Sequence, residues 1–353
     1  MNTPKTILVA PLHWGLGHAT RCIPIIRALL ERRYRVVLAS DGEALTLLRK
    51  EFPELKAIEL PAYNISYTKK GGWFKFKMLL KLPHLRRTIK AERKVIKQLI
   101  SSEGINGIIS DNRLGVRDKR VPSVFITHQL QVLSGSTSFA TTKIHQKYIR
   151  KFDQCWVPDA AGPYNLSGTL GHVTNPSFPV IYMGPLSRMK AEKRPQKYDY
   201  IAVLSGPEPQ RTLLEEKLIS VFKDTDHSLL LVQGKVAQEQ ALLKKSNIRV
   251  VNYLQTQALE KAINESACVI ARSGYTTIMD LASLRKDAFL IPTPGQYEQK
   301  YLAKQLRQKG MVPSCSQDKF SLKQLNQVAV YKGFHQTFPD PDFDVLFGLF
   351  KGK

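Results

Sequence analysis

Residues 271–301, ARSGYTTIMDLASLRKDAFLIPTPGQYEQKY, decide the fold. The apolar run Cys268-Val269-Ile270-Ala271 suits a strand buried on both faces. Arg272-Ser273-Gly274 turns the chain, and Thr276 or Thr277 is placed to cap a helix reaching Leu284. A second apolar run, 288–292, follows, then a polar loop, Gly295-Gln296-Tyr297-Glu298-Gln299. Strand, turn, helix and strand make a βαβ unit, so the sheet is parallel. Ligands of such sheets bind at the carboxyl ends of the strands. The helix start suits a phosphate, through its N–H groups and the positive end of its dipole. Asp280, one turn in, is a natural partner for paired ribose hydroxyls, and Gln296, Glu298 and Gln299 supply polar groups for a sugar. One more βαβ unit with a polar rim explains the same residues equally well.

The motifs add a resemblance. RSGYTTIMDL, 272–281, matches without gaps the donor-binding segment of the MurG-type transferase that adds N-acetylglucosamine to the peptidoglycan lipid precursor, and PGQYEQ, 294–299, resembles the sugar-contacting segment that follows it. The resemblance implies a GT-B fold in the glycosyltransferase family 28-like superfamily: α/β, two Rossmann-like domains with a cleft between them. It further implies Ser273 and Gly274 beside a diphosphate, Asp280 on the ribose, and Glu298 and Gln299 facing the donor sugar.

A length of 353 residues suits two domains, and 43% hydrophobic residues are enough for a sizeable core. The expected division is 1–184, an acceptor domain; 185–199, a linker rich in Lys, Pro and Gln; 200–333, a nucleotide-sugar domain; and 334–353, a helix returning to the first domain. Phe343, Leu346, Phe347 and Phe350 give that last segment helical spacing, which also fits an extra membrane contact. No run reaches the roughly 18 apolar residues of a membrane span, and the N-terminus lacks the pattern of a signal peptide. Cys22, Cys155, Cys268 and Cys315 lack metal-ligand spacing and read as reduced residues of a cytosolic protein. Lys and Arg number 53 against 29 Asp and Glu, a net charge of +24, which points to an anionic partner: phosphates, nucleic acid or a membrane surface.

The chain opens with a strand at 6–12, then His13-Trp14-Gly15-Leu16-Gly17-His18-Ala19-Thr20-Arg21. Only Gly15 and Gly17 fit a dinucleotide fingerprint, so no dinucleotide site is read here. His18 falls at a helix N-terminus, where the dipole lowers an imidazole's pKa and favours a neutral base. A helix-capping histidine is the structural alternative. The GLGHATR turn is similar to one found in MurG-like transferases and in nucleotide-sugar hydrolases of the pseudaminic acid pathway, whose matching histidine activates water. Gly17 and Arg21 fall on the acceptor side. His128 and Gln129, at the end of a strand at 122–127, stand where the superfamily has His-Glu-Gln; His128 is read as positioning the acceptor or as holding a loop.

Residues 66–97 hold eleven Lys and Arg and one acid, Glu92. Lys69, Lys70, Lys75, Lys77 and Lys81 interleave with Trp73, Phe74 and Phe76, the composition of a monotopic membrane surface. A solvated helix and a nucleic-acid groove are the alternatives. Pro83 is expected to start a fresh helix that buries Leu85, Ile89, Ile96 and Leu99.

Gly184-Pro185-Leu186-Ser187-Arg188 stands where relatives carry a similar turn, which puts Arg188 within reach of donor phosphates. Ser205 and Gly206, with Arg211, follow the first strand of the second half, but SGPEP replaces the Gly-rich loop of the peptidoglycan enzyme, which argues against that enzyme itself. The Asp-rich PDPDFD lies in the tail and no DxD pair marks a metal-nucleotide site, so neither metal nor cofactor is expected.

The reading is an inverting, metal-independent glycosyltransferase. It takes a nucleotide-diphosphate sugar, UDP-linked by expectation, and a lipid or lipid-linked acceptor. His18 is the base, and helix N-termini with Arg272 or Arg188 stabilise the leaving diphosphate. The expected location is cytoplasmic, peripheral on the inner face of an anionic membrane, without nucleic acid. The rivals are a soluble nucleotide-sugar hydrolase using His18 on water and a non-catalytic membrane- or nucleic-acid-binding protein on the same scaffold.

Overall fold

The computed structural model describes residues 4–63, 74–133, 135–235, 242–245, 247–335 and 338–351. Two compact units result: residues 1–186 with 339–353, and residues 187–338.

The first unit alternates β1 (Thr6–Pro11), α1 (Gly17–Glu31), β2 (Arg35–Ser40), α2 (Gly42–Glu51), β3 (Lys56–Glu59), α3 (Phe74–Ser102), β4 (Ile105–Asp111), β5 (Ser123–Ile126), α4 (Ser138–Ile149), β6 (Gln154–Val157) and β7 (Val180–Tyr182). Its strands form one parallel sheet in the order β3-β2-β1-β4-β5-β6-β7. The order reverses direction between β1 and β4, the switch point at which open α/β sheets form a crevice. Leu8, Val37, Ile108 and Ile96 make part of its core. Pro83 lies inside α3 and does not start a new helix, although its ring removes one hydrogen bond. Ile89 and Ile96 of α3 are buried, and Leu85 and Leu99 pack partly against them.

The second unit runs β8 (Tyr198–Val203), α5 (Gln210–Phe222), β9 (Leu229–Val232), β10 (Leu242–Lys245), β11 (Ile248–Val251), α6 (Thr256–Asn264), β12 (Ser266–Ala271), α7 (Tyr275–Leu284), β13 (Asp287–Leu290), α8 (Tyr297–Gln308) and α9 (Leu322–Leu325). The sheet order is β10-β11-β9-β8-β12-β13, with β10 antiparallel at one edge, an element the sequence reading lacks. Its switch point lies between β8 and β12. Leu204, Leu218, Phe222, Leu231, Phe289 and Phe320 lie in its core. Residues 187–199 belong to this unit: the Lys190 and Glu192 amides donate to Glu260 Oε2 (2.8 Å) and Asn264 Oδ1 (3.2 Å).

The tail, with α10 (Phe343–Phe347), belongs to the first unit. Phe347 and Phe350 are buried against Trp156, and Arg32 pairs with Asp344 at 2.8 Å. Among the described residues, no helix is long and apolar enough to cross a membrane. The expected membrane-surface residues Lys69, Lys70 and Trp73 lie outside the described residues, as do the side chains of Phe74, Lys75, Phe76, Lys77 and Lys81.

Candidate active site

In the first unit the turn after β1 and the end of β4 meet at the switch point. Gly17 opens α1, and His18 and Arg21, three residues apart, share one helix face. Both converge on Asp111, the last residue of β4. Arg21 holds it bidentately, Nε donating to Oδ2 at 2.5 Å and Nη2 donating to Oδ1. His18 Nδ1 lies 2.8 Å from Oδ1. Arg21 Nη1 lies 3.2 Å from His128 Nδ1, which therefore accepts. The Gln129 amide donates to Thr127 Oγ1 (3.0 Å).

Two contacts compete for His18 Nδ1, since Arg21 Nη2 is also 2.7 Å away. The guanidinium already donates to the carboxylate, a far better acceptor than a ring nitrogen. We therefore assign the Nδ1 proton to the His18–Asp111 hydrogen bond, which leaves the lone pair on Nε2. Burial, and then Arg21, lower the His18 pKa against the opposing pull of Asp111, so the ring is neutral at pH 7. Burial would raise Asp111, but Arg21 and His18 outweigh it and hold this carboxyl well below the usual range. A neutral histidine oriented by an ionised carboxylate has the arrangement a general base needs.

Asp111 is the residue that sequence reading missed. It follows the short run Gly107-Ile108-Ile109-Ser110, but nothing in its neighbours marks it; parallel pairing of β1 with β4 brings it to His18, 93 residues away.

A second buried network lies alongside. The Arg113 guanidinium is fully buried and donates to Asp41 Oδ1 (2.6 Å), Glu92 Oε1 (2.7 Å) and the Pro61 carbonyl (2.7 Å). Tyr63 Oη and the Gly115 amide donate to Glu92 Oε2 at 2.5 and 2.9 Å. The single acid of the basic stretch is thus what ties α3 to the strand ends.

In the second unit, Ser205 and Gly206 follow β8, residues 272–274 follow β12, and residues 291–299 follow β13, all at the carboxyl ends of adjacent strands. Gly274, not a threonine, is the N-cap of α7; its extended backbone ends the turn, which leaves Thr276 and Thr277 inside the first helical turn. Its φ of −69° suits any residue, and a Cβ there would meet nothing nearer than Thr277 Oγ1 at 3.9 Å. Neither backbone nor packing demands this glycine, which fits close approach of a ligand. Gly206, at φ +96°, does need to be glycine. Beside it, Thr293 Oγ1 is buried without a hydrogen-bond partner among the described residues.

Asp280 on α7 accepts from Ser187 Oγ at 2.6 Å, and burial, opposed by Ser187 and Arg188, raises its pKa to about 6. Arg188 Nη1 donates to Thr256 Oγ1 (2.7 Å). Arg211 is held by Glu208 (2.9 Å) and the Gly234 carbonyl (2.9 Å). Gln296 is the N-cap of α8, and Glu298 lies in its first turn.

Three of the expected ligand residues also brace the loops. The buried Arg272 donates to the carbonyls of Ile291 (3.2 Å), Pro292 (3.3 Å) and Gln210 (2.7 Å) and to Gln317 Oε1 (2.7 Å). Its guanidinium ties loop ends together, because a charge this deep needs several acceptors. Ser273 Oγ donates to the Gln299 carbonyl (2.7 Å), and Gln299 Oε1 accepts the Thr293 amide (2.8 Å).

With this geometry established, likeness to known proteins places the chain. The glycosyltransferase family 28 C-terminal domain profile matches residues 201–336. An uncharacterized glycosyltransferase of Methanosarcina acetivorans is 22% identical over 315 residues, covering 84% of this chain and 82% of that one. One from Methanopyrus kandleri is 20% identical over 302 residues, covering 82% and 86%. The chain is a glycosyltransferase with a GT-B fold. MurG of Acinetobacter baumannii shares the fold of this glycosyltransferase, at 15% identity and a TM-score of 0.57 over 99% of both chains. Phytolacca americana UGT2, solved with UDP-2-fluoro-glucose and pterostilbene, shares it at 15% identity and a TM-score of 0.60 over 94% and 90%.

Proposed function

We propose that this glycosyltransferase moves a sugar from a UDP-sugar to a hydroxyl of a lipid or lipid-linked acceptor, with inversion and without a metal. The His18–Asp111 pair carries the reading. His18 Nε2 takes the acceptor proton as the acceptor oxygen bonds to the anomeric carbon. The bond from that carbon to the diphosphate breaks, and its electron pair leaves with the diphosphate. Attack from the opposite face inverts the centre. The α7 N-terminus at Gly274 would take up the growing negative charge. Asp280 would release Ser187 and accept the ribose hydroxyls. The plant relative's UDP-2-fluoro-glucose supports a UDP donor.

The test is product analysis with a UDP-sugar panel. His18→Ala should lose turnover and keep UDP affinity. Release of free sugar at an undiminished rate without any acceptor would instead make the protein a hydrolase.

Asp280→Ala should weaken UDP-sugar binding about 10- to 100-fold, the scale of hydrogen bonds to a charged group. Wild-type affinity should fall as pH drops through about 6, because protonated Asp280 loses the charge that receives the ribose. Titration calorimetry at pH 5 and pH 8 reads both; equal affinity in the variant removes Asp280 from the donor site.

For the lipid side, α4 exposes Phe139 (73%) and Ile144 (53%), and Lys143 Nζ sits 4.3 Å over the Phe139 ring. Apolar groups among cations suit an anionic bilayer surface, at about 1 kcal/mol per basic residue. Combining Phe139→Ser with Lys143→Glu should weaken binding to phosphatidylglycerol vesicles at least about tenfold. Unchanged, salt-independent cosedimentation would remove the membrane from this reading.

A further inference from the structure

The second unit holds a cavity that the transfer chemistry does not use. Helices α5 and α8 and the segment 314–318 border an open cleft of about 620 Å3. That volume lies within the roughly 300–1,000 Å3 of small-molecule sites. Leu213, Pro292, Pro294 and Ala303 give it an aliphatic floor. Cys315 also lines it; burial pushes that thiol up to about 11, so the sulfur stays neutral and acts as apolar wall.

Four cations surround this floor: Lys217 on α5, and Lys300, Lys304 and Arg307 on α8. The last three stand at i, i+4 and i+7, one face of the helix. Like charges at such spacing repel. Among the described residues, none of the four side chains makes a hydrogen bond or an ion pair. Asp318 is the only acid in the lining. No aromatic ring lines the cavity, so a nucleotide base would find nothing to stack on.

We propose that this cavity binds a monomeric anionic amphiphile, with a single acyl or isoprenoid chain on the aliphatic floor and a phosphate or carboxylate head among the α8 cations. Each half of the site explains one half of the ligand. A bare anion leaves the apolar floor wet, and a neutral chain leaves the cation stripe unmatched. The assignment rests on the cavity alone and stands whether or not the donor reading holds.

Octyl phosphate is the probe, titrated calorimetrically into the full chain below its micelle concentration, with octanol and inorganic phosphate as controls. The expected result is one site, with both controls at least tenfold weaker. Lys304→Glu combined with Arg307→Glu should weaken octyl phosphate at least tenfold. Leu213→Asp should do the same by making the floor polar; this side chain is 44% exposed, so the change spares the core. Both variants should keep the wild-type melting temperature and circular dichroism spectrum, which shows that the unit is folded. Inorganic phosphate or octanol binding as tightly as octyl phosphate would overturn the proposal. So would octyl phosphate affinity unchanged in both variants, or binding to phosphatidylglycerol vesicles with none to the monomer.

Discussion

Asp111→Asn lowers turnover by roughly 100- to 10,000-fold, the span of a general base's contribution. The asparagine keeps the shape but can present an N–H where the carboxylate accepted one. His18 Nδ1 then accepts, the ring proton moves to Nε2, and the base disappears without any loss of the histidine. Wild-type kcat/KM should stay level through neutral pH and fall only below 6.5, because burial and Arg21 hold the His18 pKa under its ordinary value. In Asp111→Asn the residual activity should hold to a still lower pH, since the carboxylate that opposed that lowering is gone. Arg21 also loses its counter-charge, which costs about 3–5 kcal/mol of stability. His18→Ala retains the Arg21–Asp111 pair and so separates catalysis from folding. Steady-state kinetics across pH decides the matter: turnover of Asp111→Asn within threefold of wild type would end the dyad assignment.

Arg113→Met should cost the first unit about 3–5 kcal/mol. The substitution fills the space but leaves Glu92, fully buried, without its cation, and Asp41, 8% exposed, with His13 Nδ1 at 3.5 Å. Burial already raises the Glu92 pKa against Arg113, Tyr63 and Gly115, so without the guanidinium it should take up a proton in the fold. The sign follows from that rise. A carboxyl raised in the fold binds its proton there at a pH where the unfolded chain has released it. Stability of the variant is therefore lost as pH rises above 4.5, through the raised value. Urea unfolding at pH 5 and pH 8 measures this; a loss under about 1 kcal/mol at pH 8 would show that the network is not what braces α3.

Much of the fold was legible in local pattern. Runs such as residues 7–10 and 268–271 are continuously apolar because parallel strands are covered on both faces, and the glycine turns after them announce helices. Phe347 and Phe350 were legible by their spacing, and they fill a groove against Trp156. Pro83 misled because a proline's local preference for a helix start gave way to a helix that runs through it. The partners of Arg272 were not legible for a different reason: a cation beside a helix start looks the same in sequence whatever acceptors it meets, and here four internal ones surround it.

By itself the sequence determined which segments alternate as strand and helix, that glycine turns into helices follow the first strand and residues 268–271, and that the chain is strongly basic. These follow from periodicity, turn chemistry and composition, which act over a few residues. Tertiary structure alone decided that Asp111 orients His18, that Ser187 meets Asp280, and that Glu92 is buried with Arg113. Those partners are brought together by sheet order and helix packing across 93, 93 and 21 residues, and no local pattern encodes a distance between side chains so far apart in the chain.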